Sequence, residues 1–280
     1  MKKGSLKYLL IVIGIIIGVQ LTAQNYEEKL VVPLSKPSSK GSLDVGLIMG
    51  SIKVEGYNGK EVIVTAKAID KEGHKEHHNK RDNDKSDLTG LKKINSNGFK
   101  LDIEEKDNHV EISSDHFNKR IDLEIKVPRN FSLELATVNN GNIYVSNVEG
   151  SHEISNVNGK IEMYAISGSV VAATVNGKLV VEFDKVTPNT PMAFAGMNKN
   201  IDLTLPPGTK ATLKMDSKMG DIYTDFDAEM VKSGPEIKKS TNGGVYKVSV
   251  SQTVTAKLNG GGPEFKFKNF NGDIIVRKKK

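Results

Sequence analysis

The sequence predicts an all-β protein: a two-sheet parallel β-solenoid of about 18 residues per coil, in which each coil gives one strand to each sheet. Three observations carry this. Glycines that read as turn residues recur in nine-residue steps at Gly141, Gly150, Gly159, Gly168 and Gly177. Apolar residues sit two before, two after and four after these glycines, as in Val157/Ile161/Met163, Ile166/Val170/Ala172 and Val175/Leu179/Val181. This is the alternation of short strands with one buried face. No part of the chain beyond its first residues carries a convincing helical pattern.

The nine-residue steps alternate in character. Asn140, Asn158 and Asn176 precede one set of glycines, and Lys160 and Lys178 follow it; Ser151 and Ser169 follow the other set. The repeat is therefore 18 residues with two unlike halves. Asn-Gly suits a corner because both residues tolerate positive φ, and Asn side chains stacked between coils can hydrogen-bond to one another. The same dipeptide is also the strongest hairpin signal, so an antiparallel β-sandwich or meander is the competing fold. The solenoid places Asn140, Asn158 and Asn176 in one column. It places Ile143, Ile161 and Leu179 in an inward column beside them, with Val170 reaching the core from the opposite sheet.

Taken from the N-terminus, the chain opens with a basic "MKKGSLK", an apolar run from Tyr8 to Leu21 and a small residue at Ala23. This is the layout of a secretory signal peptide over residues 1–23, cleaved before Gln24. An uncleaved anchor is the rival, but the run is short for a membrane span of ~20 residues. Cleavage removes Lys2, Lys3 and Lys7 and no acid, lowering the formal net charge from +6 by three, to +3. Residues 24–280 read as one β-domain. "MGSIKVEGYNGKEVIVTA" opens it in the strand-and-glycine style of the repeat. The polar stretch 71–97 breaks the pattern and reads as a mobile surface insertion. "IDLEIKVPRNFSLEL" and "IDLTLPPGTKATLKM" are a related pair, each with a strand running into proline and another leaving it. "MGDIYTDF" and "FNGDIIVRK" return to the repeat phrasing, and the basic end from Arg277 to Lys280 reads as a solvated tail.

"IDLEIKVPRNFSLELATVNNGNIYVSNVEGSHEISNVNGKIEM" and the later "IDLTLPPGTKATLKMDSKMGDI" together resemble the bacterial putative-adhesin family of β-strand-repeat proteins, over roughly residues 43–276. The family is an exported domain of unknown function. The resemblance implies a β-solenoid-like domain at the cell envelope and carries over no functional residue. The "LTAQ" cleavage region further resembles leaders of Bacteroidetes-type bacteria.

The sequence offers little chemistry. There is no Cys, hence no disulfide, thiolate site, Cys nucleophile or lipoprotein anchor. Calcium β-rolls need Asp two residues past each repeat glycine, where this chain has Ile143, His152, Ile161, Val170 and Leu179. Of the outward positions Tyr144, Glu153, Glu162, Val171 and Val180, only two are acidic, and these belong to opposite sheets and make no catalytic pair. The weak metal candidates are His74, His77 and His78, with His109 and His116 further on; they read as solvated loop residues. "DNDKSD" starts like a calcium loop but has Asp87 where Gly is needed and Lys93 where Glu is needed. "SSDH" at 113–116 has no nucleophile elbow around it, and "NGGGPEF" at 259–265 lacks the Lys-Ser/Thr of a phosphate loop.

The function expected is a non-catalytic binding, adhesion or structural module, exported to the periplasm, outer-membrane surface or medium. Its partner would be an envelope component, glycan or protein. Cofactors, nucleic acid and a membrane span after cleavage are not expected. A carbohydrate-active enzyme on a β-helix and an envelope sensor are the alternatives.

Overall fold

The computed structural model describes residues 26–69, 101–114, 119–231, 236–242, 245–251 and 253–280. The leader, the 71–97 stretch with His74, His77, His78 and Asp82–Asp87, and Asp115–His116 lie outside the described residues. Strands, and no helix, occur among those described. In chain order they are β1 (Tyr26–Pro33), β2 (Gly41–Met49), β3 (Ile52–Tyr57), β4 (Glu61–Ile69), β5 (Asp102–Lys106), β6 (His109–Ser113), β7 (Arg120–Pro128) and β8 (Phe131–Asn139). Then come β9 (Ile143–Ser146), β10 (Glu149–Asn156), β11 (Ile161–Thr174), β12 (Leu179–Val186), β13 (Met192–Gly196), β14 (Ile201–Leu205) and β15 (Ala211–Ser217). The last are β16 (Ile222–Thr224), β17 (Ala228–Val231), β18 (Glu236–Asn242), β19 (Val245–Ser251), β20 (Val254–Leu258), β21 (Glu264–Asn269) and β22 (Ile274–Lys278).

β18 and β19 pair with each other, and the other strands form one 20-stranded mixed sheet. Its registers resolve it into two runs. One runs β5-β6-β2-β8-β10-β11-β13-β21-β15-β20-β17. The other runs β1-β4-β7-β3-β9-β11-β12-β14-β22-β16. β11 belongs to both: Ile161–Tyr164 pairs in the second run and Ser167–Thr174 in the first. Between these halves the register shifts, at Ala165 with its φ of 53°.

Over the glycine repeat the pairing is parallel with an 18-residue offset: Ile143↔Ile161, Ile161↔Leu179 and Glu149↔Ser167. Hairpins of neighbouring strands are not the pairing there. The sheet as a whole, however, is mixed rather than parallel throughout. β1, β4 and β5 near one end and β17 and β20 at the other pair antiparallel. A parallel stack ends in a row of unpaired N–H and C=O groups, and antiparallel strands pair with those groups near both ends here.

The strands are also out of chain order in two places. β2 and β3 lie between β6-β7 and β8-β9. β21 and β22 lie between β13-β14 and β15-β16. The two proline-containing segments, Val127–Phe131 and Leu205–Ala211, are the connections that step over the intervening strands. This accounts for their similarity in sequence.

The core follows from the registers. Leu123, Ile52, Ile143, Ile161, Leu179, Ile201 and Ile274 stand in one row and are buried at 0–1% exposure. Val170 is buried in the other run. Phe194 and Phe267 stack at 5.1 Å. Val157, expected inward, is instead exposed.

The turn residues need correction. Gly150 and Gly168 lie within β10 and β11, not in turns. Of the five repeat glycines only Gly168 has positive φ, at +126°. Gly141, Gly159 and Gly177 do lie between strands, but their reason is close approach. A Cβ on Gly159 would sit 1.8 Å from the carbonyl oxygen of Gly141, and one on Gly177 1.8 Å from that of Gly159.

Candidate functional site

Each 18-residue repeat turns twice between its strands, and the first turn carries the glycine column. Here a buried polar side chain reaches to the turn of the neighbouring strand pair: Thr137 Oγ1 donates to Gly50 O, Asn156 Nδ2 to Gly141 O and Thr174 Oγ1 to Gly159 O. The asparagine column exists with one substitution. Asn158 Nδ2 donates to Asn139 Oδ1, Asn176 to Asn158 and Asn198 to Asn176, at 2.7, 2.7 and 2.6 Å. Asn140 is absent from it because it is the extra residue of its corner, held at a φ of 54°. Outside this ladder Ile48, Val138, Val157, Met197 and Phe270 are exposed. The side-chain hydrogen bonds of the ladder are spent between its own asparagines.

The outer face of the second run is also internally compensated. Lys160 bridges Glu162 at 2.9 Å and lies over the Tyr144 ring, which with Glu162 raises its pKa. Asp202 takes Lys178 and Arg277, while Lys279 takes Glu182 and Asp184. The basic end is thus no solvated tail: Arg277 and Lys278 belong to β22, and Arg277 and Lys279 are tied to earlier strands. Glu153 and Glu162 lie in different runs, on β10 and in the first half of β11. His109 is exposed, its Nδ1 2.9 Å from Ser42 Oγ. No group of three His, Asp or Glu that could hold a metal occurs among the described residues.

The second corner is different. At the starts of the first-run strands lie two adjoining cavities of ≈ 440 and ≈ 430 Å³ that share Lys185, Thr187 and Pro188. The first has a floor of Ser132, Ser151, Ser169, Gly150 and Gly168, with Lys40, Asn130 and Glu149 around it. The second has Pro188, Pro206 and Pro263 as apolar walls, with Asp184, Lys210 and Gly261. Parallel stacking builds the floor. Ser132, Ser151 and Ser169 occupy neighbouring strands, with Ser151 N donating to Ser132 Oγ and Ser169 Oγ to Ser151 Oγ. Bulk is excluded beside them, since a Cβ on Gly168 would fall 1.8 Å from Gly150 O. The groove therefore presents hydroxyls, amides and backbone along a shallow trough bordered by ammonium groups. Ser151 and Ser169 carried a signal in the 18-residue alternation. Lys40, Lys185 and Lys210 carried none, because segments far apart in the chain bring them together. The turn 259–263, with Gly260 and Gly261 at positive φ, forms one wall.

One buried group stands outside both corners. His152 is 2% exposed, its register neighbours are Leu133 and Val170, and neither ring nitrogen has a hydrogen-bond partner. Burial pushes its pKa down to about 4 from the ordinary 6.5, weakly opposed by the nearby Ser167 backbone. The unfolded chain thus takes up the proton first. The neutral imidazole favours the folded state above pH ~6.5, and that advantage is lost as pH falls towards ~4. Denaturant titrations are expected to show about 2 kcal/mol less stability at pH ~5 than at ~7.5. His152→Val should lack this component; an unchanged acid limb in the variant would assign the loss to other groups.

No protein-family model and no curated protein matches the chain. Among solved structures, the chain is similar to a putative cell adhesion protein from Clostridium sporogenes at 14% identity and a TM-score of 0.47, over 91% of this chain and all of that one. A putative adhesin from Bacteroides fragilis is similar at 9% identity and a TM-score of 0.34, over 91% and 97%. One from Parabacteroides merdae is similar at 8% and 0.25, over 92% and 98%. At these values the likeness assigns this chain no activity.

Proposed function

We propose that the protein is a non-catalytic binding module of the cell envelope, exported by its leader and built as a β-solenoid in its central coils. The observation that carries this is the serine-floored groove at the second corner. It is long, shallow and lined by hydroxyl, amide and ammonium groups, a surface suited to an extended polar partner rather than a buried small molecule. Its two carboxylates, Glu149 and Asp184, line different cavities, and Asp184 is engaged by Lys279 at 2.6 Å. That arrangement favours binding over the paired-acid chemistry of a glycosidase.

The test is to fractionate native cells, then to measure binding of residues 24–280 to whole cells and to a panel of glycans. Ser151→Trp/Ser169→Trp fills the groove floor from outward-facing strand positions. It is expected to weaken binding about tenfold or more, a loss of ~1.4 kcal/mol, with melting unchanged. Full-strength binding by this variant would place the site elsewhere.

A further inference from the structure

We infer that the groove is built for an anionic polysaccharide chain, laid across the starts of the first-run strands; this rests on the reading of the groove as the binding site. Lys40, Lys185 and Lys210 line it and are exposed, and none of them has an ion-pair partner among the described residues. Lys160, Lys178, Arg277 and Lys279, by contrast, are each matched to a carboxylate. The groove's own acids are fewer than its ammonium groups: Glu149, and Asp184, which shares Lys279 with Glu182. The trough therefore keeps an uncompensated positive potential, concentrated by its walls.

The spacing fits a polymer. Lys40 precedes β2 and Lys210 precedes β15, and the strands between them in the run are β8, β10, β11, β13 and β21. Six strand steps make ~29 Å. The step is close to the length of one sugar in an extended glycan, so successive units meet successive Ser, Asn or Lys side chains. Ser132 and Ser151 can donate to sugar hydroxyls, and all three serine oxygens can accept from them. The three ammonium groups take carboxylates or sulfates, and Pro188, Pro206 and Pro263 offer apolar faces to sugar C–H groups. Glu149, with no ion-pair partner among the described residues, disfavours a sugar carboxylate or sulfate at the position beside it.

The test is calorimetric titration of residues 24–280 with polygalacturonate, chondroitin sulfate, neutral dextran and single-stranded DNA, in low and in physiological salt. Wild-type protein should bind one or both acidic polysaccharides, more weakly as salt rises. K40A/K185A/K210A should lose about tenfold or more in affinity, while K29A/K53A/K126A, the same charge removed from the second run, should stay within about twofold. All six lysines are exposed, so both variants should melt as wild type does. Equal losses in the two triple variants, or DNA bound as well as polygalacturonate, would show general polyanion adhesion and overturn the inference. Dextran bound equally well, and weakened by S151W/S169W, would overturn it while leaving the binding-module reading intact. No binding to any polysaccharide or cell would overturn both.

Discussion

Truncation after Leu258, which removes β21 and β22, is expected to abolish the cooperative unfolding transition rather than shave one end from the protein. In a stack whose coils follow chain order, the last coil contacts one neighbour and its loss is local. Here β21 is held between β13 and β15, and β22 between β14 and β16. Removing them opens a slot one strand wide through both runs, with unpaired backbone on each side. Phe265, Phe267, Ile274 and Val276 are fully buried at 0% exposure. At ~1.5–3 kcal/mol each, the four represent about 6–12 kcal/mol of burial, comparable with the entire stability of a typical domain, ~5–15 kcal/mol. The milder Phe267→Ala should cost about 3–5 kcal/mol, since it also removes the stack with Phe194. Circular dichroism with thermal melting reads both. A truncated chain that keeps its β-signal and a single sharp melt would refute the intercalated topology.

Gly177→Ala should destabilise by about 3 kcal/mol or more, as severe overpacking, which in a domain of this size lowers Tm by roughly 6–12 °C. The added Cβ would lie 1.8 Å from the carbonyl oxygen of Gly159 and 2.7 Å from the Lys160 nitrogen. Those are backbone atoms of the neighbouring repeat and cannot swing aside, so paired strands only ~4.8 Å apart must separate. Backbone conformation is not the obstacle, because Gly177 lacks a positive φ. Gly46→Ala is the control: it is an exposed strand glycine with nothing within 4 Å of the added carbon. It should be neutral or slightly stabilising, through lower entropy of the unfolded chain. Similar melting for the two variants would remove the claim that glycine is required by stacking.

Much of this protein was determined by its sequence alone. Local periodicity specified the β class, and strict repetition specified the 18-residue offset, because a register that buries Ile143 beside Ile161 buries Leu179 in the same way. The glycine column was legible too, although its cause was not. Positive φ is a property of one residue, whereas a carbonyl 1.8 Å from an absent Cβ is a property of two coils. The asparagine ladder shows the same limit, since one extra residue at its corner exchanged Asn140 for Asn139. Only the tertiary structure decided the antiparallel ends, the intercalated strands and the groove. Each depends on which distant segments pair, and the repeat phrases at 50–57, 220–226 and 270–278 fit several slots equally well on their own. Their places are set by pairing backbone and burying apolar area across the whole stack at once, and Lys40, Lys185 and Lys210 converge only after those pairings are made.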